Sequence, residues 1–520
     1  MSELSKTRRS GGRSARRALR SAPLSDTIKP VRMGLEGGRY TPLSQSDIGQ
    51  IHGAVLDVLE NIGLSQATKG CIEACERVGA VFGDDGRLRF PPKLVEDTIA
   101  AANRDFILYG RDEQHNLKPQ GTKVHFGTAG AAVHVVDVEK NEYRESYLQD
   151  IYDAARIVDQ QDNIHFFQRP MVARDMETAL DLDLNTIYAS LAGTAKHVGT
   201  SISFSENVDA SLDMLYRIAG GEEAFRARPF VSLSSCFVVP PLRFAQDALD
   251  VLERTVLGGV PVLLLSAGQA GATSPAAIAG SIVQATAEVL AGLVFVNALR
   301  PGHPAIYGTW PFVSDLRTGA MSGGSGEQAL LTAACGQMAR HYNLPSGSPA
   351  GMADAKMPDI QSGYEKGITT VMAGLAGNNL VYEAAGMHGS LMGFCLESLI
   401  IDNDMLGQVM RCVRGIEVNP QTLSIETMRE VCTEGQNHYL GHGQTLSLMQ
   451  SEYIYPIIGN RMNPKEWAEA EKPDIIKKAT EEKRRILDSY FPAYLSPDLD
   501  VELRANFNIM LPRSAMRRKA

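Results

Sequence analysis

Aromatic rings and carboxylates recur at the ends of β-favouring runs in this chain, whereas His and Cys do not cluster. Tyr382 and Glu383 end one run, Tyr307 and Trp310 another, Gln168 and Arg169 a third, and Phe126 lies late in a fourth. Asp354, Gln361, Tyr364, Glu365 and His388 follow such runs. A carboxylate held among apolar groups is costly unless a cation pairs with it. For Glu383 that cation is either a nearby Arg or Lys or a ligand. Ring faces from Trp310, Tyr307 or Tyr364 together with one carboxylate are what an alkylammonium ion needs. A quaternary nitrogen has no N–H and is held only by cation–π and charge attraction. His388, in a stretch rich in small residues, suits either contact with a substrate anion or a supporting role.

Other chemistries lack their residues. Cys71 and Cys75 stand four apart without a matching His or Cys pair, which fits a buried helix face better than zinc. His438 and His442 are also four apart, but Gly441 and Gly443 make that stretch a loop. No metal site is expected. Neither G-x-S-x-G nor H-E-x-x-H occurs, and no dinucleotide or P-loop fingerprint is present. Seven cysteines, an odd number spread over 520 residues, point to reduced thiols and a cytoplasmic protein.

The elements that position these residues follow from the hydrophobic pattern. At 44% hydrophobic and 21% charged, the chain has ordinary globular usage. Its apolar run near Leu290 is broken by Gly292 and Asn297, so no membrane span is expected. The net charge of −9 is uneven, with basic ends flanking an acidic body. Lys6, Arg8, Arg9, Arg13, Arg16, Arg17 and Arg20 crowd the start, and Arg513, Arg517, Arg518 and Lys519 the end. Without interleaved aromatics, these tails suit docking on an acidic subunit better than nucleic acid. Arg8-Arg9 lacks the apolar segment of an export signal.

Residues 1–30 read as a basic arm and 31–120 as a mainly helical leader. One leader helix runs over 44–62, with Ser44 and Asp47 spaced as a capping box and Gly63 as its stop. Another spans 93–102. From 121 to 400, β-favouring runs alternate with helical stretches: 124–128, 164–169, 197–203, 230–236, 260–266, 305–310, 344–348 and 379–384. Eight βα units without a glycine-rich first turn fit a TIM barrel better than a doubly wound sheet. Residues 133–146 read as a hairpin inserted after the first strand. A long helix is expected from an N-cap at Ser274, and the glycine-dense loop 311–326 as a lid or docking surface. Residues 401–520 read as a helical extension. The fold class is thus α/β, a (β/α)8 barrel with helical additions at both ends. The barrel's reactive groups belong at the carboxyl ends of its strands.

Several ordered segments carry a resemblance. The leader from Arg32 to Tyr40, the stretch from Asp354 to Lys366, Leu375-Ala376-Gly377-Asn378-Asn379, Ile401-Asp402-Asn403-Asp404 and Asn437 to His442 with Thr445 resemble the trimethylamine methyltransferase family. That resemblance implies a TIM barrel that moves a methyl group from a methylated amine to a corrinoid supplied by a partner protein, with no cofactor tightly bound. Founding members carry pyrrolysine in the region matching 350–361, where this chain has only standard residues. The resemblance then implies a quaternary amine such as glycine betaine rather than trimethylamine. On this reading Trp310, Tyr307 and Tyr364 surround the trimethylammonium group, Glu383 balances its charge, and Gln168 or His388 holds a carboxylate end. Glu383 and His388 are the catalytic candidates. Phe126, Gln168, Tyr307, Trp310, Gln361, Tyr364 and Tyr382 are the substrate-binding ones. The expected partners are a small methylated amine, a corrinoid protein and further copies of the chain, with folate as an alternative acceptor and neither nucleic acid nor membrane involved. Two rivals remain: a barrel lyase or hydrolase using 386–393 for a phosphate, and a non-catalytic betaine-binding protein.

Overall fold

Eight short parallel strands carry the apolar, fully buried runs that the alternation marks out, and a helix follows each. The computed structural model describes residues 29–434 and 437–518. The expected basic arm therefore lies outside the described residues except for Lys29 and Pro30. The strands are β1 Lys123–Phe126, β2 Phe166–Gln168, β3 His197–Thr200, β4 Val231–Ser235, β5 Val262–Ser266, β6 Ala305–Thr309, β7 Gly347–Pro349 and β8 Leu380–Tyr382. The helices after them are α1 Leu148–Asp159, α2 Ala179–Gly193, α3 Val208–Ala219, α4 Gln246–Leu257, α5 Ile278–Leu299, α6 Gly326–His341, α7 Ile360–Ala376 and α8 Leu396–Arg414.

The strands close on themselves. Parallel ladders join β2 to β3, β3 to β4, β4 to β5 and β5 to β6, and likewise β7 to β8 and β8 to β1. Parallel bridges Gly127–Phe166 and Tyr307–Ser346 complete the ring between β1 and β2 and between β6 and β7. All eight expected strands are present, and the fold is a (β/α)8 barrel. Helix α8 continues to Arg414, so the eighth βα unit extends past residue 400.

Local signals explain most element ends. Ser44 and Asp47 form the expected capping box, with Asp47 N donating to Ser44 Oγ at 3.2 Å and Ser44 N to Asp47 Oδ2 at 2.9 Å. That helix, Gln45–Asp57, continues as a π turn to Ile62 and stops at Gly63, whose φ is +64°. Cys71 and Cys75 lie on the buried face of helix Lys69–Glu76. One start differs from expectation: α5 begins at Ile278, not at Ser274. The Ser274 hydroxyl is turned to Ser281 Oγ at 2.9 Å, while its amide closes a turn onto Gln269 O at 3.0 Å. Helix α5 is also long and apolar enough to cross a membrane by length and composition, despite Gly292 and Asn297. Its most apolar window is 78% buried within the protein, the pattern of a core helix.

The additions cover the barrel. Leader helices Gln45–Asp57 and Pro92–Ala101 pack on α5, and strand Leu35–Glu36 pairs antiparallel with β1. The hairpin after β1 is present as His134–Asp137 and Glu142–Glu145. The loop after β6 forms a hairpin of Phe312–Ser314 with Met321–Ser322. Beyond α8, the extension contains helices of which Ile475–Ser489 packs on α8 and α1.

Candidate active site at the barrel mouth

Glu383 follows β8 directly and has φ +62°, the left-handed region that non-glycine residues rarely adopt. That conformation breaks the strand's alternation. Its side chain is fully buried and neither carboxylate oxygen has a hydrogen-bond partner. Burial pushes the carboxyl up to about 8. A strained backbone and an unsatisfied buried acid at the catalytic end of a barrel strand are costs that a binding role explains.

Aromatic rings converge inside the barrel around Tyr382, the residue before it. Tyr382 stands edge-on to Phe166 with ring centroids 4.9 Å apart, and Trp310 lies 5.5 Å from Tyr382. Glycines opposite make the room: a Cβ on Gly127 would overlap the Phe166 ring, and one on Gly347 would fall 3.0 Å from Tyr382. The Trp310 indole Nε1 is buried without a partner. Gln168 shares the inward face of β2 with Phe166, and its Oε1 occupies the space where a Cβ on Gly199 would stand. The sequence pattern alone did not single out Phe166, although it sits two residues before Gln168 in the same run and so faces the same way.

Arg169 and Cys236, at the ends of β2 and β4, add a second pole. The Arg169 guanidinium makes no side-chain hydrogen bond and no ion pair with the described residues, and its Nε is buried without a partner. Burial lowers the pKa of this guanidinium, and Asp183 and Cys236 are the acidic groups near enough to oppose the shift. Cys236 is exposed, yet dense surroundings push its thiol up; the Arg169 guanidinium opposes that shift and the Glu383 carboxyl adds to it. Cys236 therefore lies at the mouth, within electrostatic reach of both groups.

The loops around these groups are tied down. Asp354, after β7, accepts from Ser322 Oγ at 2.5 Å and Gly323 N at 2.7 Å in the loop after β6, and from Ser390 Oγ at 2.6 Å in the loop after β8. Glu365 on α7 accepts from the amides of Asp354 and Ala355 at 2.8 and 3.1 Å. Asp402 on α8 pairs with Lys366 at 2.6 Å in a buried ion pair and accepts from Gly386 N at 2.8 Å, three residues beyond Glu383. Burial raises the Asp402 carboxyl, and the Lys366 ammonium opposes that.

Several sequence candidates lie elsewhere. Tyr307 sits between inward-facing Ile306 and Gly308, so it points outward, where its hydroxyl meets Thr286 on α5 at 2.7 Å. Phe126 likewise faces out, next to inward-facing Gly127, and its ring packs by His165 with centroids 6.4 Å apart. Tyr364 is 55% exposed on α7, and Gln361 on the same helix donates to Glu365 Oε1 at 2.7 Å. His388 is buried, 2.7 Å from Ser398 Oγ, and burial holds its pKa well below the usual range, so the ring is neutral. Of the nine candidates, the structure gathers Gln168, Trp310, Tyr382 and Glu383. Residues 386–393 form a hairpin of Met387–His388 with Gly393–Phe394, not a phosphate loop. Their amides are already used: Gly386 donates to Asp402, Gly389 to Ala355 O and Ser390 to Ala353 O.

An open groove of about 750 Å³ borders the mouth between the loop after β6 and α7, lined by Leu316, Arg317, Asp354, Tyr364 and Ile368 among others. A second cavity of about 490 Å³ lies at the opposite end of the barrel, by Asp159, His165 and Lys196.

Known proteins share this chain's sequence over nearly its whole length. Residues 9–509 match the family model described as trimethylamine methyltransferase (MTTB). The trimethylamine methyltransferase MttB of Methanosarcina thermophila is 31% identical over 91% of this chain and 98% of its own. The glycine betaine methyltransferase of Desulfitobacterium hafniense is 28% identical over 90% of this chain and 96% of its own. In fold, the crystal structure of the Methanosarcina barkeri monomethylamine methyltransferase superimposes with a TM-score of 0.52 at 10% identity, covering 86% of this chain and 89% of that one. The chain belongs to the trimethylamine methyltransferase family and is a methyltransferase.

Proposed function

We propose that the protein takes a methyl group from a quaternary, betaine-like amine at the barrel mouth and passes it to a corrinoid carried by a partner protein. The observation that carries this reading is Glu383: a fully buried carboxyl without a hydrogen-bond partner among the described residues, next in sequence to Tyr382, whose ring lies 5.5 Å from that of Trp310. A quaternary ammonium ion supplies the missing charge without asking for a hydrogen bond, and the ring faces attract it.

The chemistry asks little else of the protein. A corrinoid supplies a strongly nucleophilic metal centre. As the methyl carbon passes to that acceptor, the amine departs with the C–N electron pair as a neutral tertiary amine, so no proton is moved. Glu383 and the rings fix the nitrogen and orient one methyl outward, while the loops held by Asp354 keep that geometry. The groove beside the mouth presents Leu316, 69% exposed, and Tyr364, which support delivery of such an acceptor there.

A single-turnover assay with free cob(I)alamin and a panel of methylated amines tests the reading. Methylcobalamin forms with a quaternary amine, and its yield drops with Glu383→Gln. Transfer from trimethylamine alone, or from none of the panel, overturns it.

A further inference from the structure

Arg169 has the opposite need to Glu383. A guanidinium is always charged, carries five N–H donors in a planar fork and is satisfied best by a bidentate carboxylate. The Arg169 guanidinium has neither a side-chain hydrogen bond nor an ion pair among the described residues. Asp183 is an acid acting on it from a distance, but its oxygens already accept three hydrogen bonds from other groups. Oδ2 accepts from Ser203 N at 2.9 Å and Asn207 Nδ2 at 2.8 Å, and Oδ1 from Ser203 Oγ at 2.8 Å. A cation partly removed from water and left without an anion is expensive, and a ligand can relieve that cost.

The mouth thus offers an unmatched cation at Arg169 and, at Glu383, a buried acid without a partner that a bound cation would ionise. Cys236, an exposed residue, lies within electrostatic reach of both the Arg169 guanidinium and the Glu383 carboxyl, which places all three at the same mouth. A simple alkylammonium ion would answer only Glu383 and leave Arg169 without an anion. A molecule with a fixed cation at one end and a carboxylate at the other answers both.

We propose that Arg169 is the specificity-determining residue of this site, binding the carboxylate of a zwitterionic quaternary amine whose nitrogen lies at Glu383. This rests on the function proposed above and extends it, since it names the residue that separates zwitterions from cations of the same shape. It also transfers to Arg169 the anion-holding role that the sequence suggested for Gln168 or His388. Substrate bound in this way passes over Cys236 and shields its thiol.

Calorimetry with glycine betaine and choline tests the assignment, because the two share a trimethylammonium group and differ in carboxylate against hydroxyl. Charge-assisted hydrogen bonds contribute about 1.5–3 kcal/mol, so wild type should favour glycine betaine by about 10–100-fold. Arg169→Gln should lose that preference, weakening glycine betaine by the same factor and leaving choline within about twofold, whereas Glu383→Gln weakens both. Arg169→Lys serves if the Gln variant does not fold, and it should weaken glycine betaine alone. Glycine betaine should slow iodoacetamide labelling of Cys236 in wild type but not in Arg169→Gln, with exposed Cys412 and Cys432 as internal controls. If wild type binds both ligands and Arg169 substitution shifts them equally or not at all, the anchor is wrong while the function stands. If wild type binds neither, the proposed function itself fails.

Discussion

The Trp310 and Tyr382 rings lie 5.5 Å apart with their planes inclined by 46°, so they form two walls of a corner rather than a stack. Phe166 continues the corner on the far side of Tyr382. A cation resting there meets more than one ring face, each contributing about 0.5–2 kcal/mol once water is excluded.

Replacing Trp310 with Leu keeps an apolar side chain and removes the π face. Affinity for glycine betaine should fall about 3–30-fold, in line with one lost cation–π contact. The uncharged isostere 3,3-dimethylbutyrate, with carbon in place of nitrogen, should lose little. Equal losses for the two ligands, measured by calorimetry, would show that the ring only fills space.

Cation binding should also release a proton. With its carboxyl at about 8, Glu383 is protonated at neutral pH, and a cation beside it favours the ionised form. From pH 6 to 7, affinity for tetramethylammonium should rise up to about tenfold, then level off above about pH 8. Calorimetry in buffers of different ionisation enthalpy should find close to one proton released per cation bound at pH 6.5. Glu383→Gln should show no proton release and a flat pH profile; a wild-type profile that is equally flat removes Glu383 from the site.

The barrel was legible because strand alternation and burial are written into runs such as 260–266 and 305–310, and parallel strands buried on both faces need no long-range information to be recognised. Which face each residue takes was harder to read. Tyr307 and Trp310 lie three apart in one run and so fall on opposite faces: Tyr307 points to α5, while Trp310 continues the inward phase of Ile306 and Gly308. Phe126 and Phe166 were exchanged in importance for the same reason of phase. Glu383 was recognisable as an acid at a strand end, but its isolation was not, since that depends on what surrounding loops leave unpaired. Ser274 has the composition of an N-cap, but its hydroxyl is engaged by Ser281, one turn inside the helix.

The same buried acid makes folding stability depend on pH. The unfolded chain releases this proton near 4.5, while the folded protein keeps it until about 8, so the native state binds more protons in between. Stability contributed by Glu383 is therefore complete below 4.5 and declines as pH rises, by up to about 1.4 kcal/mol per unit, until about 8. Urea unfolding of wild type and Glu383→Gln should diverge from pH 5 to pH 8, with the variant gaining. Parallel stability curves would show that the carboxyl is not isolated.

Asp354 joins three mouth loops through one carboxylate, so its removal should act on all of them. Asp354→Ala leaves two hydroxyls and one amide without their acceptor and should cost about 1–3 kcal/mol of stability. Hydrogen exchange at Gly323 should quicken while exchange in β4 and β5 does not. Exchange that quickens uniformly would mean global destabilisation instead of released loops.

The Lys366–Asp402 pair can be separated into stability and positioning by a double-mutant cycle. Both side chains are almost fully buried at 2.6 Å, so either single change strands the other charge, and Lys366→Met or Asp402→Leu should each cost about 3–5 kcal/mol. The double change strands no charge and should recover much of that loss. It cannot restore the bond from Gly386 N to Asp402 Oδ2, which fixes the chain just after Glu383. The double variant should therefore fold with near wild-type stability yet transfer methyl groups more slowly, with kcat reduced more than KM rises. Full activity in a stable double variant would confine the pair to folding and leave the orientation of Glu383 to β8 and its own backbone conformation.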